Sequence, residues 1–144
     1  MGVLRPAAVL VPLQSGPDGL ELILTLRPSH LSSHAGQVSF PGGRVESMDT
    51  SRWETALRET REELGLSADQ VTPLGELDDL ATITHFHVTP CVALVQPEAQ
   101  LAPAEEEVEE VFTIPLSHFR DPKRRRTMQM AGRPATRQTD ALPG

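Results

Sequence analysis

The chain has 144 residues, enough for one domain and short of two comfortable ones. Hydrophobic residues make up 38% but aromatics only 3%, with no Tyr, so aliphatic side chains must fill the core. Twenty acids against thirteen bases give −7, unevenly placed: residues 1–119 hold eighteen acids and six bases, residues 120–144 two acids and seven bases. Such a body is a poor general binder of nucleic acid, and an acidic enzyme of phosphates would need cations as intermediaries.

A single cysteine, Cys91, excludes an internal disulfide framework and fits a reducing compartment. The longest apolar run, Ala7–Leu13, contains Pro12 and is far too short to span a bilayer. It has no small-residue cleavage site behind it, so the expected setting is the cytoplasm, with no membrane partner.

Ala7–Leu13 and Glu21–Arg27 are β-rich runs separated by Gln14–Gly19, a turn by composition, so they predict a hairpin. Residues 28–36 are polar and irregular. Gln37–Phe40 predicts a short strand stopped by Pro41-Gly42-Gly43, with a loop from Arg44 to Thr50.

The clearest helix starts after Ser51, an N-cap with Glu54 three residues on as a capping box. Trp53, Ala56, Leu57 and Leu64 supply its apolar stripe, and Gly65 is the expected stop. Leu74–Leu77, Ala81–Thr84 and His87–Val95 read as strands, with Asp78-Asp79 as a turn. Pro90 predicts that the last is irregular or at an edge. Val111–Ile114 is a further strand and Leu116–Phe119 a helical turn; from Asp121 no periodic pattern remains. Strands on both sides of one strong helix predict an α/β or α+β domain with a mixed sheet.

That helix carries Arg58-Glu59-Thr60-Arg61-Glu62-Glu63-Leu64-Gly65-Leu66. Glu59, Glu62 and Glu63 fall within about a third of its circumference. Three like charges on one face repel, which invites a compensating cation; oxygen ligands favour hard ions such as Mg²⁺ or Mn²⁺. Taken alone, a charged face usually means solvent, but here Phe40-Pro41-Gly42-Gly43 precedes it. Paired glycines let the backbone approach a ligand closely and offer a carbonyl to a metal.

Together these residues resemble the box of the Nudix hydrolases, with Gly43 as its first glycine and Arg58-Glu59 to Gly65-Leu66 as its second half. Asp49 stands where Glu is usual, eight residues before Arg58, and Thr60 replaces an aliphatic. The Gly-Gly, the Asp and the extra residue resemble the coenzyme A diphosphatase branch. So do Ile23-Leu24-Thr25-Leu26-Arg27 and Gly36 to Gly43, although Ser32 replaces a second arginine, with His30 and His34 nearby. Further stretches around Leu74–Asp79, Phe86–Pro90 and Glu109–Leu116 extend the resemblance to about residue 122.

The resemblance implies an α/β/α sandwich around a mixed β-sheet in residues 1–122. Residues 123–144 form a basic, irregular tail where the family's C-terminal strand and helix would stand. A truncated or frame-altered product is the expectation there. The run Lys123–Arg126 has no aromatic partners and reads as a solvated tail, so no nucleic-acid partner is expected.

The implied reaction is metal-assisted hydrolysis of a nucleoside diphosphate linked to another moiety. Coenzyme A would give 3′,5′-ADP and 4′-phosphopantetheine. Alternatives are ADP-ribose, NADH or an oxidised nucleotide as substrate, or a non-catalytic ligand-binding protein or inert fragment. The implied roles are Glu59, Glu63 and Glu62 with the Gly43 carbonyl for Mg²⁺ or Mn²⁺, and Arg58 orienting a glutamate. Glu62 would be a ligand or activate water, and a base could also come from Glu105–Glu110. Arg27, Phe40, Gly42 and Gly43 are the implied contacts to a small-molecule nucleotide.

Overall fold

In a computed structural model, residues 4–28, 36–81, 85–120, 129–130 and 133–134 are described. The expected hairpin forms from β1 (Arg5–Gly16) and β2 (Gly19–Leu26), turning tightly over Pro17-Asp18. β1 is buried continuously from Ala7 to Leu13 because it lies inside the sheet and both its faces are covered.

The hairpin is forked. Past Leu13 and Leu22 the two strands diverge, and the short strands β3 (Val38–Ser39) and β4 (Gly42–Arg44) fill the gap. β3 pairs with the end of β2, and β4 pairs with the start of β1 (Ala8 opposite Gly43, Val9 opposite Gly42). Gly42-Gly43 is therefore strand and not merely a stop.

On the other edge of β1 runs β7 (Phe86–Val95), parallel to it, followed outward by β5 (Val71–Glu76) and β6 (Leu80–Ala81). β8 (Glu110–Pro115) pairs with β2, completing a mixed eight-stranded sheet. Thr82–Thr84, the rest of one expected strand, lie outside the described residues, as do His30, Ser32 and His34.

Pro90 corrects the edge expectation: β7 sits between β1 and β5, in unbroken register with β1, while its pairing with β5 is irregular, shifting register between Pro73 and Gly75. The Pro90 carbonyl accepts from the Leu77 N–H (2.9 Å), just after β5 ends and before β6 begins. A strand residue's N and O face the same side, so the N–H that proline lacks falls where no partner strand needs it.

Helix α1 (Arg52–Leu64) crosses one face of the sheet. The Ser51 hydroxyl accepts from the Glu54 N–H (3.1 Å), while the Glu54 carboxylate accepts from Thr50 (2.9 Å), one residue earlier than a strict capping box. Gly65 ends the helix at φ +73°. Ala56 and Leu64 are fully buried against Ala8, Leu10, Ile23, Cys91 and Ala93; Trp53 and Leu57 flank them. Thr60 is buried too, where an aliphatic is usual, because its hydroxyl donates to the Ala56 carbonyl (2.7 Å) and leaves only its methyl to the core.

The opposite face packs Val9, Val11, Leu13, Leu22, Leu24 and Phe40 under Phe119, from the 3₁₀ segment Leu116–Arg120. α1 is the one α-helix among the described residues. Within the expected tail, Gln129–Met130 (β9) pairs with Arg133–Pro134 (β10). Two-residue strands are too short to register as a period of two. Among the described residues no helix is long and apolar enough to cross a membrane.

Candidate metal centre

The fork determines the site. β4 is held against β1 directly beneath α1, so the helix must lay its acidic face on the Gly42-Gly43 backbone. The Gly42 N–H donates to the Glu63 carboxylate (3.3 Å). At Gly43 a Cβ would stand 2.6 Å from the Glu59 carboxyl carbon, so the glycine's empty side is filled by that carboxylate.

Glu59 and Glu63, one turn apart on the same helix face, both meet this cradle. Burial pushes the Glu63 carboxyl up to about 8; the charges of Glu59 and Glu107 push the same way, against the Gly42 N–H. Glu59 is raised by burial, opposed by Arg58. Two partly buried like-charged carboxylates against one cradle are the arrangement a hard divalent cation relieves, and every donor present is oxygen. The residues therefore fit such an ion.

Glu62 does not join this pair. It is half-exposed and lies 3.6 Å from the Arg58 Nη1. Among the described residues no three acidic or imidazole side chains already converge into a coordination shell.

Arg58 is the hub. Its Nε and Nη2 donate to the two oxygens of Asp49 (3.2 and 2.9 Å), its Nη2 also to the Arg44 carbonyl (3.2 Å), and its Nη1 to Glu59 (2.9 Å). Asp49, only 3% exposed at its side chain, accepts further bonds from the Glu46 N–H and the Thr55 hydroxyl, both at 2.8 Å. Its carboxylate is thus committed to the loop and to Arg58. The Arg58 guanidinium, ahead of the loop donors, holds Asp49 far below the usual carboxylate range. Sequence reading marked Asp49 only as a departure and missed Thr55, since nothing local announces a buried hydroxyl aimed at a residue six positions back.

A depressed native value means that the fold favours ionised Asp49. The resulting stabilisation is complete above the ordinary carboxyl value of 3.8 and drains away as pH falls below it towards the native value. Replacing Asp49 by Asn is expected to cost about 2 kcal/mol at pH 7. Urea midpoints of the two proteins should converge below pH 4; a gap that stays constant to pH 2 would contradict the ion pair.

The acidic loop closes the site's far side. Ala102 and Ala104 donate backbone N–H bonds to the carbonyls of Leu64 and Glu63 (2.7 and 2.9 Å), satisfying the helix's last turn. The loop then turns through Glu105–Glu107 and returns to β2, where the Glu109 N–H donates to Leu26 (2.8 Å). Arg27 and the carboxylate pair therefore stand at the two ends of one loop. Arg27 is half-buried, its backbone bonded to Gln37 and Gly36.

Phe40, expected as a substrate contact, is 6% exposed and packs in the core on the face opposite α1. Strand alternation and the tight link between β3 and β4 turn it away from the carboxylates. Cys91 is buried, its thiol pushed up to about 12 by that burial, and is chemically quiet.

The profile of the NUDIX domain matches residues 4–133. An uncharacterized Nudix hydrolase NudL of Pectobacterium atrosepticum is 46% identical over 112 residues, 78% of this chain and 58% of that protein. The chain thus spans somewhat over half the length of this curated relative. Among solved structures, a C. elegans Ap4A hydrolase binary complex superposes with a TM-score of 0.66 at 21% identity, covering 77% of this chain and 80% of that one. The NUDIX domain of Shewanella oneidensis NrtR complexed with ADP ribose gives 0.60 at 16% identity, covering 91% and 81%. Likeness at such identities concerns the fold, and it matches the mixed sheet and packed helix found here.

Proposed function

Because the chain belongs to the NUDIX domain family, we propose that it hydrolyses a nucleoside diphosphate linked to another moiety, with coenzyme A or its derivatives as substrate. The observation that carries the hydrolytic reading is the convergence of Glu59 and Glu63 on the Gly42-Gly43 backbone. The coenzyme A reading is supported by the spacing of Asp49 to Arg58 and by the Leu24-Thr25-Leu26-Arg27 and Phe40–Gly43 stretches.

Glu59 and Glu63 would hold the ion, with the Gly43 carbonyl as a further ligand. A bound Mg²⁺ or Mn²⁺ would neutralise the diphosphate and lower the pKa of the attacking water. Arg58, clamped by Asp49, holds Glu59 in one orientation. Glu62, half-exposed beside the pair, takes the proton from the attacking water. Arg27, at the opposite end of the acidic loop, holds a phosphate of the substrate. We assign residues 1–122 to the domain and the basic residues 123–144 to an appendage, in a cytoplasmic protein whose single thiol needs no partner.

The test is incubation with Mg²⁺ or Mn²⁺ and coenzyme A, ADP-ribose, NADH and nucleoside triphosphates in parallel. Release of 3′,5′-ADP and 4′-phosphopantetheine is expected. Turnover of triphosphates or ADP-ribose without coenzyme A would sink the substrate while leaving the hydrolase. Turnover of nothing, with Mn²⁺ unbound, would sink both.

A further inference from the structure

We infer that Thr55 is a positioning residue for the metal-ligating face of α1, a role that rests on the proposed function above. Thr55 is fully buried and occupies the second turn of the helix, one turn before Glu59. Its hydroxyl donates to Asp49 Oδ2 at 2.8 Å, with a longer contact to the Ser51 carbonyl at 3.4 Å. A threonine bonded back to its own helix is common. Here the shorter bond runs out of the helix to the loop.

The consequence follows along the chain of contacts. Asp49 Oδ2 is shared by three donors: the Thr55 hydroxyl, the Glu46 N–H and Arg58 Nη2. Asp49 Oδ1 takes Arg58 Nε. The carboxylate plane is thus set by the Thr55 hydroxyl and the Glu46 N–H together. That plane sets the guanidinium plane through a bidentate pair, which tolerates little rotation. With Nε and Nη2 occupied, only Nη1 is left to face the acidic helix surface, and it reaches Glu59 at 2.9 Å. Thr55 therefore acts on Glu59 through two intermediates and touches neither substrate nor ion.

The relay also separates Glu59 from Glu62. The same Nη1 lies 2.9 Å from the first and 3.6 Å from the second. A guanidinium released from Asp49 can turn toward the exposed Glu62, and Glu59 then loses the partner that keeps it in the cradle.

Thr55→Val keeps shape and burial and removes only the hydroxyl; Thr55→Ser keeps the hydroxyl and loses the methyl. Two readouts are taken on each: Mn²⁺ affinity by calorimetry, and the Arg58 Nε–Hε resonance of the metal-free protein by NMR. Valine is expected to weaken Mn²⁺ about fivefold, less than the 10- to 100-fold typical of a direct partner of a ligand. It should also broaden the Arg58 resonance, and serine should restore both. Unchanged affinity and an unchanged resonance in the valine protein, whatever its melting temperature, would overturn the relay. If the wild type binds no Mn²⁺, the proposed function fails by itself. The NMR comparison then still decides the relay: loss with valine and return with serine supports it, and indifference overturns it.

Discussion

Replacing Glu63 by Gln is expected to lower kcat by roughly three orders of magnitude, the worth of several kcal/mol of lost charge stabilisation. The melting temperature should hardly move. Burial already disfavours the ionised form, pushing the carboxyl up to about 8, so the metal-free fold gains little from its charge. The amide oxygen of Gln can still accept from the Gly42 N–H, as the carboxylate does at 3.3 Å. Activity and stability should therefore separate, as they do where a site stores unfavourable charge for function. Steady-state kinetics and a thermal melt on the same preparation check this. A variant that retains more than about a tenth of the wild-type kcat would remove Glu63 from the machinery.

The second large effect concerns Gly42, and it is one of stability. A Cβ there would lie 2.6 Å from Val9 Cα and press on the Ala8 carbonyl, both main-chain atoms of the central strand. Neither can give way without moving β4 off β1. Gly42→Ala is expected to cost about 3 kcal/mol, at the upper end for overpacking, and to lower the melting temperature by roughly 10 °C for a chain of this size. Gly43→Ala is the control. Its Cβ meets the Glu59 carboxyl, the far end of a flexible side chain, so the fold should tolerate it while the carboxylate pair is disturbed. Equal melting temperatures for the two variants would show that β4 is not wedged as described.

Much of this was legible locally. Ser51 and Gly65 announce the helix ends because capping depends on residues within one turn. The placing of Glu59 and Glu63 on one face follows from helical geometry alone. The turn between β1 and β2 is written in Pro17-Asp18-Gly19. Family resemblance supplied the meaning of Gly43 and Arg58, which composition and periodicity do not carry.

Other features depend on registers between distant segments. Pro90 argued for an edge, yet β7 is central, because the missing donor falls in the gap between β5 and β6. Phe40 belongs to the core because the β3–β4 wedge turns it away from α1. Glu62 stands apart from Glu59 and Glu63 as an exposed side chain 3.6 Å from Arg58, whose Nη1 the Asp49 pair leaves facing Glu59.

The sequence by itself determined the helix, its caps, its acidic face and the hairpin, since each rests on contacts between near neighbours. Tertiary structure alone decided that the hairpin is forked and that β4 sits in the fork under α1. It also decided that the 102–104 segment satisfies the helix end. Those pairings join residues tens of positions apart, and what selects them is the simultaneous satisfaction of buried backbone groups, a property of the assembled sheet and of no single stretch of chain.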